Sequence, residues 1–245
     1  MHEHPPGYEA EQPIDLTKAV PVDVPAAEPP SHQPRPKDPA WLRRRSVREA
    51  LTTDVPGSWL TVVANVKPRT YKTTVTRMLE TVLGHVRDDI RFVDGARRPV
   101  RGRVIADSPS YPRDTVWQPW VRSASQLVIP VPEDAEAARA AVWMLNHLEA
   151  EGLTSLTGGA LTVVLRTGRD RRLLRQIRTS LGRRTAQVVT IRPDAKDPEN
   201  PEPWVPLATA LLARLALRTD GCAAPPDGTS GRVVPLHSYQ RREVS

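Results

Sequence analysis

The chain has 245 residues, 26 of them proline, and a formal net charge of +7. Its single cysteine, Cys222, excludes an internal disulfide and suits a reducing compartment. No apolar run approaches the ~20 residues of a membrane-spanning helix, and the first residues carry no apolar signal region, so a soluble cytoplasmic protein without a membrane anchor is expected.

In chain order, residues 1–37 are rich in Pro, Glu and Ala and poor in apolar side chains. Such a segment buries too little surface to offset its ordering entropy, so a disordered Pro-rich arm is expected, with the capacity to bind a protein partner. Asp38-Pro39 reads as an N-cap and first-turn pair opening a short basic helix over 40–52. Residues 38–57 form this helix and a linker, residues 58–222 an α/β domain, and residues 223–245 a flexible tail.

The α/β domain opens on a buried-type strand, Trp59-Leu-Thr-Val-Val-Ala-Asn65. Val66-Lys-Pro-Arg-Thr-Tyr-Lys-Thr-Thr74 follows, and then a helical pattern. Strand, loop and helix in this order are the layout of a phosphate-binding loop. Lys72 and Thr73 occupy the lysine and hydroxyl positions, while Val66 and Tyr71 stand at the two defining glycine positions. Only five of the 35 basic residues are lysine, and two of them, Lys67 and Lys72, fall in this loop. Arginine is a poor stand-in for a point-charge phosphate lysine.

Ile90-Arg-Phe-Val-Asp94 reads as a second strand and Gly102-Arg-Val-Ile-Ala-Asp107 as a third, each ending in an aspartate. Ala124 to Pro132 is a further buried strand. Glu133 to Gly152 is an amphipathic helix with Ala137, Ala141, Met144, Leu145 and Leu148 at helical spacing. Leu161–Leu165 is a strand, Asp170–Gly182 a helix, Gln187–Ile191 a strand and Trp204–Arg218 a last helix. Alternation of this kind implies a mainly parallel sheet with helices on both faces.

The loop Lys67-Pro68-Arg69-Thr70-Tyr71-Lys72-Thr73-Thr74 resembles the deviant Walker A loop, K-G-G-x-G-K-T-T, of the ParA/MinD family of P-loop ATPases. Val63-Ala64-Asn65, the Asp107-Ser108-Pro109 element, the strand and helix over 124–152, and Ile191-Arg-Pro-Asp194 resemble that family in the same order, from about residue 58 to 220. Pro68, Arg69 and Tyr71 replace its glycines, and Arg166-Thr167 stands where it often has asparagine, so the chain is similar to a degenerate member. The resemblance implies a P-loop fold binding ATP and Mg²⁺. Lys72, Thr73, Thr74 and Asp194 would hold the nucleotide, and Thr73 and Asp107 the metal. For ATP hydrolysis, Lys67 would reach the nucleotide of a partner across a homodimer and Asp94 would orient the attacking water. It implies an ATP-dependent role in chromosome or plasmid partition, or in positioning a protein assembly.

Arginine supplies most of the positive charge. On the helix from 170 to 182, Leu173, Leu174, Ile177 and Leu181 can face the sheet, and Arg171, Arg175 and Arg178 share an outer face. This stripe can contact DNA phosphates without reading sequence. A second run, Arg97-Arg98 with Arg101 and Arg103, would widen the patch. A solvated arginine-rich face is the competing reading. Two other functional readings stand beside the ATPase: a nucleotide-free pseudo-ATPase that acts as a scaffold or regulator, and a nonspecific basic nucleic-acid-binding module. The six histidines show no metal-ligand spacing. Trp117 and Trp120 fill core or bracket a surface groove.

Overall fold

The computed structural model describes residues 38–95, 101–108, 117–193, 197 and 199–219. The expected arm over 1–37 and tail over 223–245 lie outside these residues, as does Cys222.

Among the described residues, six strands form one sheet: β1 (Trp59–Val63), β2 (Arg91–Asp94), β3 (Arg103–Asp107), β4 (Gln126–Pro132), β5 (Leu161–Leu165) and β6 (Gln187–Ile191). Their order is β2-β3-β1-β4-β5-β6, and every pairing is parallel. The helices are α1 (Arg45–Leu51), α2 (Lys72–Gly84), α3 (Trp117–Arg122), α4 (Ala135–Ala150), α5 (Thr154–Gly158), α6 (Arg171–Gly182) and α7 (Val205–Thr219). This is a P-loop NTPase-like parallel sheet with helices on both faces. The short α3 and α5 lack the long periodic pattern that reveals a helix in sequence.

The period of two along each strand builds two separate cores. Trp59 and Val63 of β1 face α1, α2 and α7, packing with Leu79, Leu83, Leu211 and Leu215. Leu60 and Val62 face α3, α4 and α6, packing with Trp117, Trp120, Met144 and Leu145. Because β1 is covered on both faces, all five of its residues are buried. Leu79 and Leu83 are fully buried, which stabilises α2 against the sheet by roughly 1.5–3 kcal/mol for each side chain. Trp117 and Trp120 are core residues, each 1% exposed.

The segment before β1 departs from the single helix expected over 40–52. A 3₁₀ turn, Ala40–Arg43, is separated from α1 by Arg44 in extended conformation. Asp38 does not cap it. Its carboxylate accepts instead from Arg48 Nη2 at 2.6 Å. Trp41 and Leu42 are buried, and the Trp41 ring meets His85 of the α2 C-terminus edge-on.

Strand order places the functional ends. β1 runs to β3 on one side and β4 on the other, so the direction of winding reverses between β1 and β4. In open parallel sheets, ligands bind outside the carboxyl ends of strands at such a switch point. The loop after β1 lies there.

Candidate functional site

The loop between β1 and α2 is shaped by polar groups that are buried rather than by glycines. Asn65 is fully buried. Its Nδ2 donates to the Pro130 carbonyl of β4 at 2.8 Å, and its Oδ1 accepts from the Lys67 backbone N–H at 3.0 Å. Thr70, also buried, donates its hydroxyl to the Lys67 carbonyl at 3.1 Å. These bonds hold the chain in a tight curl before α2 starts. Sequence reading singled out neither residue as a loop scaffold; for Asn65 the available signal was a polar side chain closing an otherwise apolar run.

Two residues of the curl have left-handed backbone conformations, Arg69 with φ 58° and Tyr71 with φ 62°. These are positions at which the resembled loop carries glycine. A residue with a Cβ adopts this region at a cost of about 1–2 kcal/mol. The loop therefore keeps the conformation that glycine would supply and tolerates the strain. Replacing Tyr71 with glycine is expected to stabilise the protein by about 1 kcal/mol, read as a higher urea midpoint with an unchanged slope. A lower midpoint would mean that the tyrosine side chain, 45% exposed, contributes more than its backbone strain costs.

Lys72, Thr73 and Asp107 converge beneath this curl. Lys72, the first residue of α2, is 8% exposed, and its Nζ lies 3.5 Å from the Asn65 carbonyl. Burial pulls its pKa below the ordinary lysine value, while the nearby Asp107 carboxylate works against that shift. Thr73 donates its hydroxyl to Asp107 Oδ2 at 2.5 Å. Asp107 closes β3, in register with Val63 at the end of β1, so strand pairing sets it beside the loop. Burial raises its pKa. The Thr73 hydrogen bond and Lys72 oppose the rise, and the carboxylate of Asp94 adds to it. The other oxygen, Oδ1, is buried and has no hydrogen-bond partner among the described residues.

Asp94 ends β2 opposite Asp107 in the parallel ladder, so both strand-end aspartates stand at one edge of the sheet. Thr74 is half-buried in the first turn of α2. Residues 69–74 line an open concavity of about 420 Å³. Asp194 lies outside the described residues.

Lys67 is engaged within its own chain. Its Nζ donates to Asp134 Oδ2 at 2.6 Å and to Glu136 Oε2 at 2.8 Å. Those two hydrogen bonds raise its pKa, that to Asp134 most. Asp134 also caps α4, accepting from the backbone N–H groups of Glu136 and Ala137, and Lys67 holds its carboxyl below the usual range. Sequence spacing could not reveal this contact, since Lys67 and Asp134 belong to different βα units.

The arginine face of α6 forms at the opposite side of the switch point, against the edge strand β6. Asp170 caps the helix through the backbone N–H groups of Arg172 and Leu173. Ile177 and Leu181 are buried, and Leu173 and Leu174 are half-buried. Arg171, Arg175 and Arg178 are exposed and line a groove of about 560 Å³ with Leu174 and the start of β6. Among the described residues, no ion pair involves these three arginines. Arg103 of the second basic run does not extend this groove. Arg103 lies on β3 near the other sheet edge, bonded to Asp89, and Arg97 and Arg98 lie outside the described residues.

Among the described residues no cluster of His, Cys, Asp and Glu suits a bound metal. No helix among them is long and apolar enough to cross a membrane.

No family model matches the chain, and no curated protein matches it in sequence. The chain is similar in fold to several solved structures. Apo McdA from Cyanothece is 13% identical, over 61% of this chain and 98% of that one, with a TM-score of 0.49. The cell division protein MinD from Aquifex aeolicus is 14% identical, over 68% of this chain and 98% of that one, with a TM-score of 0.45. A plasmid partition protein from Borrelia burgdorferi is 9% identical, over 66% of this chain and 100% of that one, with a TM-score of 0.49.

Proposed function

We propose that this chain is a nucleotide-controlled partition or positioning protein. It binds ATP with Mg²⁺ at the loop over 66–74, pairs with a second copy in that state, and holds DNA through the arginine face of α6. The observation that carries this reading is the meeting of the buried Lys72 with the exposed Thr73 and the half-buried Asp107 at the switch point, under a loop that keeps its curl without glycines.

The residues fit the groups they would hold. Backbone N–H groups at the start of α2 and the Lys72 ammonium offer positive charge to a phosphate chain. The Thr73 hydroxyl and the Asp107 carboxylate are hard oxygen donors in contact, and Asp107 Oδ1, without a hydrogen-bond partner among the described residues, is an acceptor ready for a metal-bound water. Mg²⁺, when bound, neutralises phosphate charge and fixes the phosphate oxygens. In this reading Thr74 supports the phosphates, Asp194 lies by the base, and Asp94 orients the attacking water. Lys67 would reach the second copy's nucleotide only after leaving Asp134 and Glu136. The Pro-rich arm over 1–37 would recruit a protein partner.

A second reading, a pseudo-ATPase scaffold, draws on two observations. Lys67 is already satisfied by two carboxylates, and Pro68 has no N–H to offer a phosphate. Duplex-DNA binding of the full chain with and without Mg²⁺-ATP separates the readings. The switch predicts that ATP raises DNA affinity at least several-fold and shifts the chain to a dimer in solution. Equal DNA binding in both conditions would leave a basic nucleic-acid-binding module without nucleotide control. No DNA binding in either would leave the scaffold.

A further inference from the structure

Arg69 occupies a position where the loop's geometry favours glycine, yet the side chain is large and cationic. It is exposed and lines the same concavity as Thr70, Lys72 and Thr73. No hydrogen bond or ion pair engages its guanidinium among the described residues. Its neighbour in the loop behaves in the opposite way, since Lys67 is tied to Asp134 and Glu136 on α4. Of the two cations that precede Lys72 in this loop, one is neutralised by its own chain and the other stands uncommitted at the cavity.

The loop also has fewer donors than a glycine loop would. Pro68 contributes no N–H, so the curl presents a reduced set of backbone groups to an anion. A guanidinium carries five N–H donors in a planar fork that matches phosphate oxygens. We infer that Arg69 is a phosphate-binding residue of this loop, a cation supplied in cis that grips the outer phosphates of a nucleoside triphosphate in place of missing backbone donors. Its left-handed conformation is then kept because it turns the side chain into the site. The inference rests on the reading that the loop binds nucleotide.

The test uses fluorescent ATP, ADP and AMP analogues with Mg²⁺ on the full chain, comparing the parent with Arg69→Gly, Arg69→Lys and Lys72→Ala. Glycine is the informative substitution, because it relaxes the backbone while removing the charge. Arg69→Gly is expected to bind the ATP analogue about 10-fold more weakly or worse, with a much smaller change for AMP. Arg69→Lys should recover part of the loss. The thermal midpoint of Arg69→Gly should equal or exceed that of the parent, so that unfolding cannot explain weaker binding. An Arg69→Gly protein that binds ATP as tightly as the parent, or tighter, overturns the inference and leaves nucleotide binding intact. If the parent binds none of the three analogues, the nucleotide reading falls and this inference falls with it.

Discussion

Lys72→Ala is expected to weaken ATP binding about 10- to 100-fold and to leave the nucleotide-free fold at least as stable as before. The first effect follows from removing a charge-assisted hydrogen bond to phosphate. The second follows from burial. The ammonium of a residue that is 8% exposed is held against its hydration, and its lowered pKa records that cost. Between the folded-state pKa and the unfolded value near ~10.4, the unfolded chain holds this proton more firmly than the folded one. Stability therefore rises with pH across that window in the parent, and Lys72→Ala should lack that rise. Urea midpoints of both proteins from neutral to alkaline pH measure it. A large drop in stability at neutral pH would show that Lys72 is a packing residue, and the phosphate role would lose its main support.

The second large effect concerns DNA. Arg171→Ala, Arg175→Ala and Arg178→Ala combined should lower the slope of log affinity against log salt by about three, roughly 0.9 for each phosphate no longer neutralised. The weakening should be similar on unrelated duplexes, because phosphate binding carries no sequence information. All three side chains are exposed, so the triple variant should fold normally. An unchanged salt slope would mean that this face is only solvated. Arg103 of the second basic run is committed instead to Asp89 near the far edge of the sheet.

The fold was legible where burial and periodicity agree. The strand reading Leu161–Leu165 matches β5, because a buried parallel strand is a short continuous apolar run, and Gln187–Ile191 matches β6, an edge strand that buries Val189 and Ile191 and exposes Gln187 and Thr190. The helix reading from Asp170 matches α6 and its cap. The meeting of Thr73 with Asp107 was legible in outline, since an aspartate ending one strand and a loop ending its neighbour must share the sheet's carboxyl edge. The structure adds the hydrogen bond itself, at 2.5 Å.

Other parts of the site could not be read in this way. The curl keeps left-handed turns at Arg69 and Tyr71, and residue preference argues against that conformation at both. What enforces it is tertiary: Asn65 reaching β4, and Thr70 closing on Lys67. The engagement of Lys67 with Asp134 and Glu136 spans two βα units and depends on β4 lying next to β1. The Asp38 cap failed for a related reason, because Arg48 offered its carboxylate a charged partner.

The most direct test of the central claim is a titration of the full chain with fluorescent ATP in the presence and absence of Mg²⁺. The account predicts saturable binding that Mg²⁺ strengthens, with the metal's contribution abolished in Asp107→Asn. Absence of binding up to millimolar nucleotide would contradict it, and would leave a parallel α/β scaffold whose phosphate loop holds its shape without a ligand.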